Sequence, residues 1–286
     1  MSINRRTFFK AIGITGMTVI GMNAAGASQS EENETEFHGI LYDSNVCVGC
    51  QACEMACAEA HNLPAPTDEI KPGVLRKTSE TKRCDINCYT TAKGDKFARN
   101  QCMHCNEPAC AAACLTRAMY KTKEGPVIWR GDKCMGCRYC MVSCPFDVPK
   151  FEYHSANPKI QKCDMYYERI VKGEKPVCVE TCGGALFYGT RRELVSEARK
   201  RIAANPELYV EKIYGESVAG GTGYLYLSPV PQNELGFDTR IQNSSYPALT
   251  KGFLYAVPSV FVLVPTLLLG IHTAAKSKTN KDEDYD

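Results

Sequence analysis

The sequence predicts an α+β body of short strands and short helices, folded around cysteine-bound centres and tethered by one C-terminal membrane helix. Three observations predict it. Cysteines recur in runs of fixed spacing, a charge-free apolar stretch of membrane-crossing length lies near the C-terminus, and a paired-arginine leader opens the chain. The 286 residues include 17 cysteines, more than packing alone uses, so these must be bridges, metal ligands or cluster ligands. A hydrophobic content of 44% and a formal charge of +2 allow one substantial core or two small ones, and give no reason to expect nucleic-acid binding.

The N-terminus reads MSINRRTFFKAIGITGMTVIGMNAAGASQS. Arg5 and Arg6 precede Phe8 and Phe9, then a weakly apolar run from Ala11 to Met22, then small residues at Ala25, Gly26 and Ala27. That order predicts a twin-arginine signal over residues 1–27, a route that exports proteins already folded around their cofactors. Residues 28 to about 40 read as an acidic, disordered start of the mature chain.

The cluster-binding region is expected over residues 41–190. Cys47, Cys50, Cys53 and Cys57 come first, in CVGCQACEMAC. Residues 62–101 read as a polar excursion rich in proline, lysine and threonine. It holds Cys84 and Cys88, an i, i+4 pair that a helical turn would place about 6 Å apart, within disulfide range. Idle thiols, or service to an incomplete centre elsewhere, are the other two readings of that pair.

Cys102, Cys105, Cys110 and Cys114 follow in CMHCNEPACAAAC, then Cys134, Cys137, Cys140 and Cys144 in CMGCRYCMVSCP. The first and third runs have the bacterial ferredoxin ligand spacing; the second has a longer middle gap. In such a run three cysteines on a tight loop wrap one cubane, and the fourth points to another cluster, so the runs must come in pairs. Gly49 and Gly136 let the loop backbone approach. A disulfide framework does not repeat this spacing, structural zinc uses close cysteine pairs, and no Cys-x-x-Cys-His marks covalent haem.

A fourth run, QKCDMYYERIVKGEKPVCVETC, places Cys163, Cys178 and Cys182 in register with Tyr166 in a ligand slot. The expected architecture is therefore a set of tandem, nested bacterial ferredoxin-like 4Fe-4S domains, with residues 102–145 as the nested pair. A three-thiolate site either loses an iron to become a 3Fe-4S centre, keeps a 4Fe-4S cluster on an oxygen ligand such as Tyr166, Asp164 or water, or holds none. Loss of iron and thiolate raises the potential, which predicts a terminal or quinone-facing position for that site.

Residues 191–247 are expected to form a helix and a connector. Thr190 to Glu193 has capping-box form, Leu194, Ala198 and Ile202 recur at helical spacing, and GYLYLSPVP reads as a strand ending in a turn. Residues 253–271, FLYAVPSVFVLVPTLLLGI, carry no charge and would span about 28 Å as a helix, close to a hydrocarbon core of about 30 Å. Lys276, Lys278 and Lys281 then place the tail, residues 272–286, in the cytoplasm and the body outside. His104 and the Arg191-Arg192 pair read as packing and helix surface. No nucleophile triad, P-loop or dinucleotide fingerprint gives the chain a catalytic centre of its own.

The order of the four motifs resembles the four-cluster electron-transfer subunits of bacterial membrane-bound oxidoreductases. Within that group, LYDSNVCVGCQAC, QCMHC, CRYCMVSCPFDVPKFEY, FYGTRRELVSEARKRIA and YLSPVP, with both end segments, resemble the membrane-anchored iron–sulfur subunit of periplasmic nickel-iron hydrogenases of the hydrogenase-2 type. The resemblance implies a wiring. Cys47, Cys50 and Cys53 would share one cluster with Cys182, and Cys57 would join Cys163 and Cys178 on the incomplete one. Cys102, Cys105 and Cys110 would pair with Cys144, and Cys114 with Cys134, Cys137 and Cys140. Three 4Fe-4S clusters are then complete. The resemblance also implies a periplasmic electron-transfer subunit between hydrogenase small and large subunits and an integral membrane quinone-reactive partner. A beta subunit of a molybdopterin enzyme, such as formate dehydrogenase or a sulfur-compound or nitrite reductase, is the alternative. A cysteine-rich structural or zinc protein is the reading from another class.

Overall fold

The computed structural model describes residues 36–282, with side chains described through residue 276. The expected signal, residues 1–27, lies outside the described residues. Strand β1 (His38–Asp43) is buried along nearly its whole length and leads into the first cysteine run, after which helix α1 (Ala52–Ala60) carries Cys53 and Cys57. Strands β2 (Cys84–Thr91) and β3 (Gly94–Gln101) form an antiparallel hairpin in unbroken register from Cys84↔Gln101 to Thr91↔Gly94.

The nested region is built of very short elements. Helix α2 (Ala109–Ala112), strands β4 (Met119–Lys121) and β5 (Val127–Trp129), and helix α3 (Tyr139–Val142) enclose a small core of Cys110, Met119, Val127, Cys140 and Ile160. Strands β6 (Lys150–Phe151) and β7 (Ile160–Gln161) pair next, and helices α4 (Tyr167–Val171) and α5 (Val177–Thr181) lie within the fourth run. These are ferredoxin-like proportions, with little regular structure and cysteines built into the small core.

Strand β8 (Leu186–Thr190), helix α6 (Arg191–Ala204) and strand β9 (Tyr224–Leu227) complete the body. β1 is central in the order β8-β1-β9, antiparallel to β8 and parallel to β9. Side-chain alternation along these strands sorts the sheet into two faces. Leu41, Leu225 and Leu227 pack on Leu194 and Ala198 of α6, while Ile40, Tyr42, Tyr224 and Tyr226 pack toward Cys53, Cys178 and Met165. The sheet thus stands between one amphipathic helix and the cysteine runs.

The segment beyond residue 190 joins the cluster region through β9, which pairs with β1. One expectation needs correction. The polar excursion 62–101 ends in the β2–β3 hairpin, whose residues from Cys84 to Cys88 are buried together with Arg99 and Gln101. Cys84 and Cys88 therefore lie on a strand, where four residues span about 13 Å, too far for a bridge. Both are free thiols, as are the other fifteen cysteines.

Helix α7 (Tyr246–Asp282) runs for 37 residues, about 55 Å, and contains the whole of the expected span. It is the one helix among the described residues long and apolar enough to cross a membrane, its most apolar 18-residue stretch within Tyr246–Lys276 having a mean hydropathy of 2.1. Pro258 and Pro265 sit inside it without ending it. Thr266 Oγ1 donates to the Val262 carbonyl at 2.7 Å within the same stretch.

Candidate cluster centres

The cysteine runs fold as loops because the residue before each second ligand position takes a left-handed backbone. Gly49 (φ 70°), His104 (φ 49°), Gly136 (φ 72°) and Met165 (φ 56°) occupy that position in the four runs. Glycine adopts such a conformation without penalty, and a β-carbon on Gly49 would lie 2.4 Å from the Phe97 ring. The fourth run keeps this turn although it has Tyr166 where the second cysteine would be. Backbone N–H groups point at sulfur within these turns, from Met165 to Cys163 at 3.4 Å and from Met119 to Cys114 at 3.3 Å.

The fold gathers the cysteines into four groups. Cys47 lies near Cys50 and Cys182, and Cys53 near Cys182. Cys57 and Cys178 both lie near Cys163, with the Tyr166 ring against all three. Cys102, Cys105, Cys110 and Cys144 form a third group, and Cys114, Cys134, Cys137 and Cys140 a fourth. Among the described residues no three histidine, cysteine or carboxylate side chains close in as a single-ion ligand set. Thiolates at the corners of a cubane stand wider apart than those around one ion.

The groups are arranged end to end. Cys53 of the first has Cys178 of the second as a neighbour, and Cys163 of the second packs beside Cys102 and Cys144 of the third. Cys110 of the third shares a core with Cys114, Cys134 and Cys140 of the fourth. Cys50 and Cys137, in the two outer groups, are exposed. The group with Tyr166 therefore lies between the first and the third, not at an end as expected: the fourth run folds back on the first, packing Cys178 and Cys182 with Ile40 and Tyr42 of β1 and Cys53 of α1.

Charge in the interior fits an anionic occupant. Arg99 is 1% exposed, its Nη1 donates to the Tyr224 hydroxyl, and its Nε has no partner. The guanidinium has no carboxylate partner among the described residues and lies among Cys84, Cys178 and Cys53. A buried charge without a counterion costs several kcal/mol, on the order of 3–5, so the site calls for negative charge from thiolates and the cluster they hold. Lys162 is likewise buried, donating to the Cys163 carbonyl at 2.7 Å and reaching Cys102 Sγ at 3.7 Å. Burial pushes the thiols of Cys140 and Cys144 up to about 11 and that of Cys105 to about 12, so iron binding there must displace protons.

The oxygen ligands considered for the Tyr166 slot differ in availability. Asp164 accepts from Arg83 Nη1 at 2.8 Å and lies 3.4 Å from His61 Nε2. Burial pushes its carboxyl up, but the hydrogen bond and charge of His61 and the charge of Arg83 hold it below the usual carboxylate range. Its oxygens are thus engaged. The Tyr166 ring stacks on His61 at 5.0 Å, and burial, with the neighbouring Cys57 and Cys178 thiols, pushes the phenol upward, keeping it protonated. His104 is packed, with Nδ1 accepting from the Val127 N–H at 2.9 Å. Sequence reasoning missed Arg99 and Lys162. Arg99 sits in no motif and Lys162 stands beside Cys163 in a run whose spacing speaks for the cysteines alone, and a basic residue gives no sign in sequence that it is buried.

A family model described as a 4Fe-4S dicluster domain matches residues 95–192. The chain is 41% identical over 289 residues to a protein of Nitratidesulfovibrio vulgaris whose name states no function, covering 96% of this chain and 78% of that one. It is 32% identical over 321 residues to the hydrogenase-2 operon protein HybA of Escherichia coli O157:H7, covering 98% and 97%. Against the nitrate-inducible formate dehydrogenase iron-sulfur subunit of Escherichia coli K12 it is 30% identical over 200 residues, covering 65% and 66%. With a 4Fe-4S dicluster match over its second to fourth cysteine runs and near full-length similarity to HybA, the chain belongs to the ferredoxin-like family of iron–sulfur electron-transfer subunits that includes HybA and the formate dehydrogenase iron-sulfur subunits.

Proposed function

We propose that this chain carries single electrons through a membrane-bound, periplasmic respiratory oxidoreductase, a quinone-linked nickel-iron hydrogenase. The end-to-end order of the four cysteine groups carries the reading, since contiguous centres with exposed outer members suit relay between partners. In this reading Cys47, Cys50, Cys53 and Cys182 hold one 4Fe-4S cluster, Cys102, Cys105, Cys110 and Cys144 a second, and Cys114, Cys134, Cys137 and Cys140 a third. Cys57, Cys163 and Cys178 hold a fourth centre with Tyr166 at the vacant run position. Each cluster, when bound, supplies a one-electron redox site. The protein spaces the sites, excludes water and sets their charge environment through Arg99, Lys162 and the N–H groups of the loops.

The similarity to HybA extends over nearly the whole chain, whereas that to the formate dehydrogenase subunit covers about two thirds; this favours the hydrogenase branch. The formate dehydrogenase likeness keeps a molybdopterin partner as the second reading. Helix α7 serves as a single-pass anchor, with the tail cytoplasmic and the body exported by the twin-arginine route. A groove of about 1160 Å³, lined by Glu107, Ala112, Pro145, Tyr246 and Leu254, lies where the third cysteine group meets the first turns of α7. It suits the contact through which electrons pass to an integral membrane quinone-reactive partner.

Isolation of the native complex through this chain, followed by metal analysis, tests the reading. Nickel with iron and acid-labile sulfide is expected. Molybdenum or tungsten in place of nickel would establish the molybdopterin partnership instead. A colourless chain containing zinc would end the electron-transfer reading altogether.

A further inference from the structure

We propose that Cys84 supplies the fourth thiolate to the centre held by Cys57, Cys163 and Cys178, completing a 4Fe-4S cluster from outside the four cysteine runs. The proposal rests on the assignment of those three cysteines to one centre. It replaces the expectation of a 3Fe-4S centre or an oxygen ligand there.

Cys84 opens strand β2 opposite Gln101, the residue before Cys102, so the hairpin delivers it directly to the cysteine runs. Its side chain is buried and lies beside the Cys57 thiol, with Cys53 and Cys178 also near. The placement is enforced. Glu54, one turn before Cys57 on α1, accepts from the Ile86 N–H at 2.5 Å, and both its oxygens are bound by Arg76 at 2.6 and 2.7 Å. Arg76 in turn donates to the Ile86 carbonyl at 2.9 Å. The start of β2 is thereby fixed to the helix that presents Cys57.

Arg99 Nε, buried and without a partner, marks room for a further negative group. Arg99 also lies close to Cys84, so a cation stands ready to balance a further thiolate. Iron in a sulfide cluster prefers soft thiolate to a neutral phenol. Cys84 offers the thiolate, its proton leaving as iron binds. Tyr166 is left as the stacked neighbour of His61 that closes the side of the site. Cys88 shows the contrast, since Asp95 and not a cysteine of the runs is its charged neighbour. The interior position gives the extra ligand a purpose. A three-thiolate, high-potential centre between two ordinary clusters would retain the electron there, whereas a fourth thiolate keeps the relay level.

The test uses the full chain, purified anaerobically in its complex, with iron and sulfide determined for this chain and EPR recorded after mild oxidation. The wild type should contain about sixteen irons and show no oxidised 3Fe-4S signal. Cys84→Ser and Cys84→Ala should each lose about one iron per chain and gain that signal, while Cys88→Ser leaves the spectrum unchanged and Tyr166→Phe keeps about sixteen irons without a 3Fe-4S signal. The double variant Cys84→Ser/Tyr166→Cys should restore the wild-type spectrum, by returning the thiolate to the run position. A 3Fe-4S signal in the wild type, conversion by Tyr166→Phe, or a Cys84 variant with unaltered iron and spectrum would overturn the proposal. About twelve irons in the wild type would instead remove the fourth centre itself, and with it the assignment of Cys57, Cys163 and Cys178. The wild-type counts decide between these even where a variant does not accumulate.

Discussion

At the scale of single residues, positive charge is the least visible part of this protein in its sequence. The spacing of the runs announces their cysteines, because three thiolates on one loop leave few alternatives to a cluster. Arg76 and Arg99, in a stretch that reads as polar surface, and Lys162, beside Cys163, announce nothing, yet all three are buried. Arg76 is the case most open to measurement. Its guanidinium makes a two-pronged contact with Glu54, with side chains 4% and 1% exposed, and Asp68 accepts from its Nε at 2.7 Å. Replacing Arg76 by methionine would leave the Glu54 carboxylate buried and unpaired, which costs about 3–5 kcal/mol. The expected outcome is a chain that denatures at markedly lower denaturant concentration and loses iron sooner. Double replacement of Arg76 and Glu54 by methionine and leucine should recover much of the loss, because no lone charge then remains; a single-variant midpoint equal to wild type would show the pair to be solvated after all.

At the scale of elements, legibility depended on whether local pattern and tertiary role agreed. Helix α6 was readable in detail. Thr190 accepts from the Glu193 N–H at 3.4 Å and Glu193 returns a bond to the Thr190 N–H at 3.1 Å, while Leu194 and Ala198 are its buried residues. Replacing Thr190 by alanine should lower the local stability of residues 191–204 by about 1 kcal/mol, seen as roughly fivefold faster amide exchange in that segment and not elsewhere. The β2–β3 hairpin was not readable. CDINCYTT has neither clean alternation nor a helical stripe, because its first five residues are all buried, on one face by cysteine runs and on the other by the connector. Its turn, Thr91 to Gly94, carries a glycine at φ 85°, a local hairpin signal outweighed by the lysines around it. The error over Cys84 and Cys88 follows from that misreading, since a thiol's partners depend on whether its element rises by a helical or an extended step.

At the scale of the whole molecule, the linear order of the cysteine groups could not be deduced from spacing, because spacing tells which cysteines share a loop and not which loops meet. The sheet decides it. β1 brings the first run beside the fourth, and β9 closes against β1 from beyond α6, so that the Tyr166 group is enclosed while the outer groups reach the surface. The membrane segment stands apart from that enclosure. Ser245 donates to Glu107 and the first turns of α7 face α2, but from Gly252 onward the helix side chains of the described residues are almost all exposed, including Phe253, Phe261 and Leu267 to Leu269. An apolar surface of this length in water would drive aggregation, and in a bilayer it is satisfied. Ending the chain after Gly252 retains the Ser245–Glu107 contact and removes the exposed span together with Leu254 at the edge of the groove. The truncated chain, expressed with its partners, should leave the membrane fraction while keeping the wild-type iron content and cluster spectrum. Loss of the clusters together with the membrane association would mean that α7 holds the body's fold as well as its place, and that the exposed helix face is covered by a partner on which cluster retention depends.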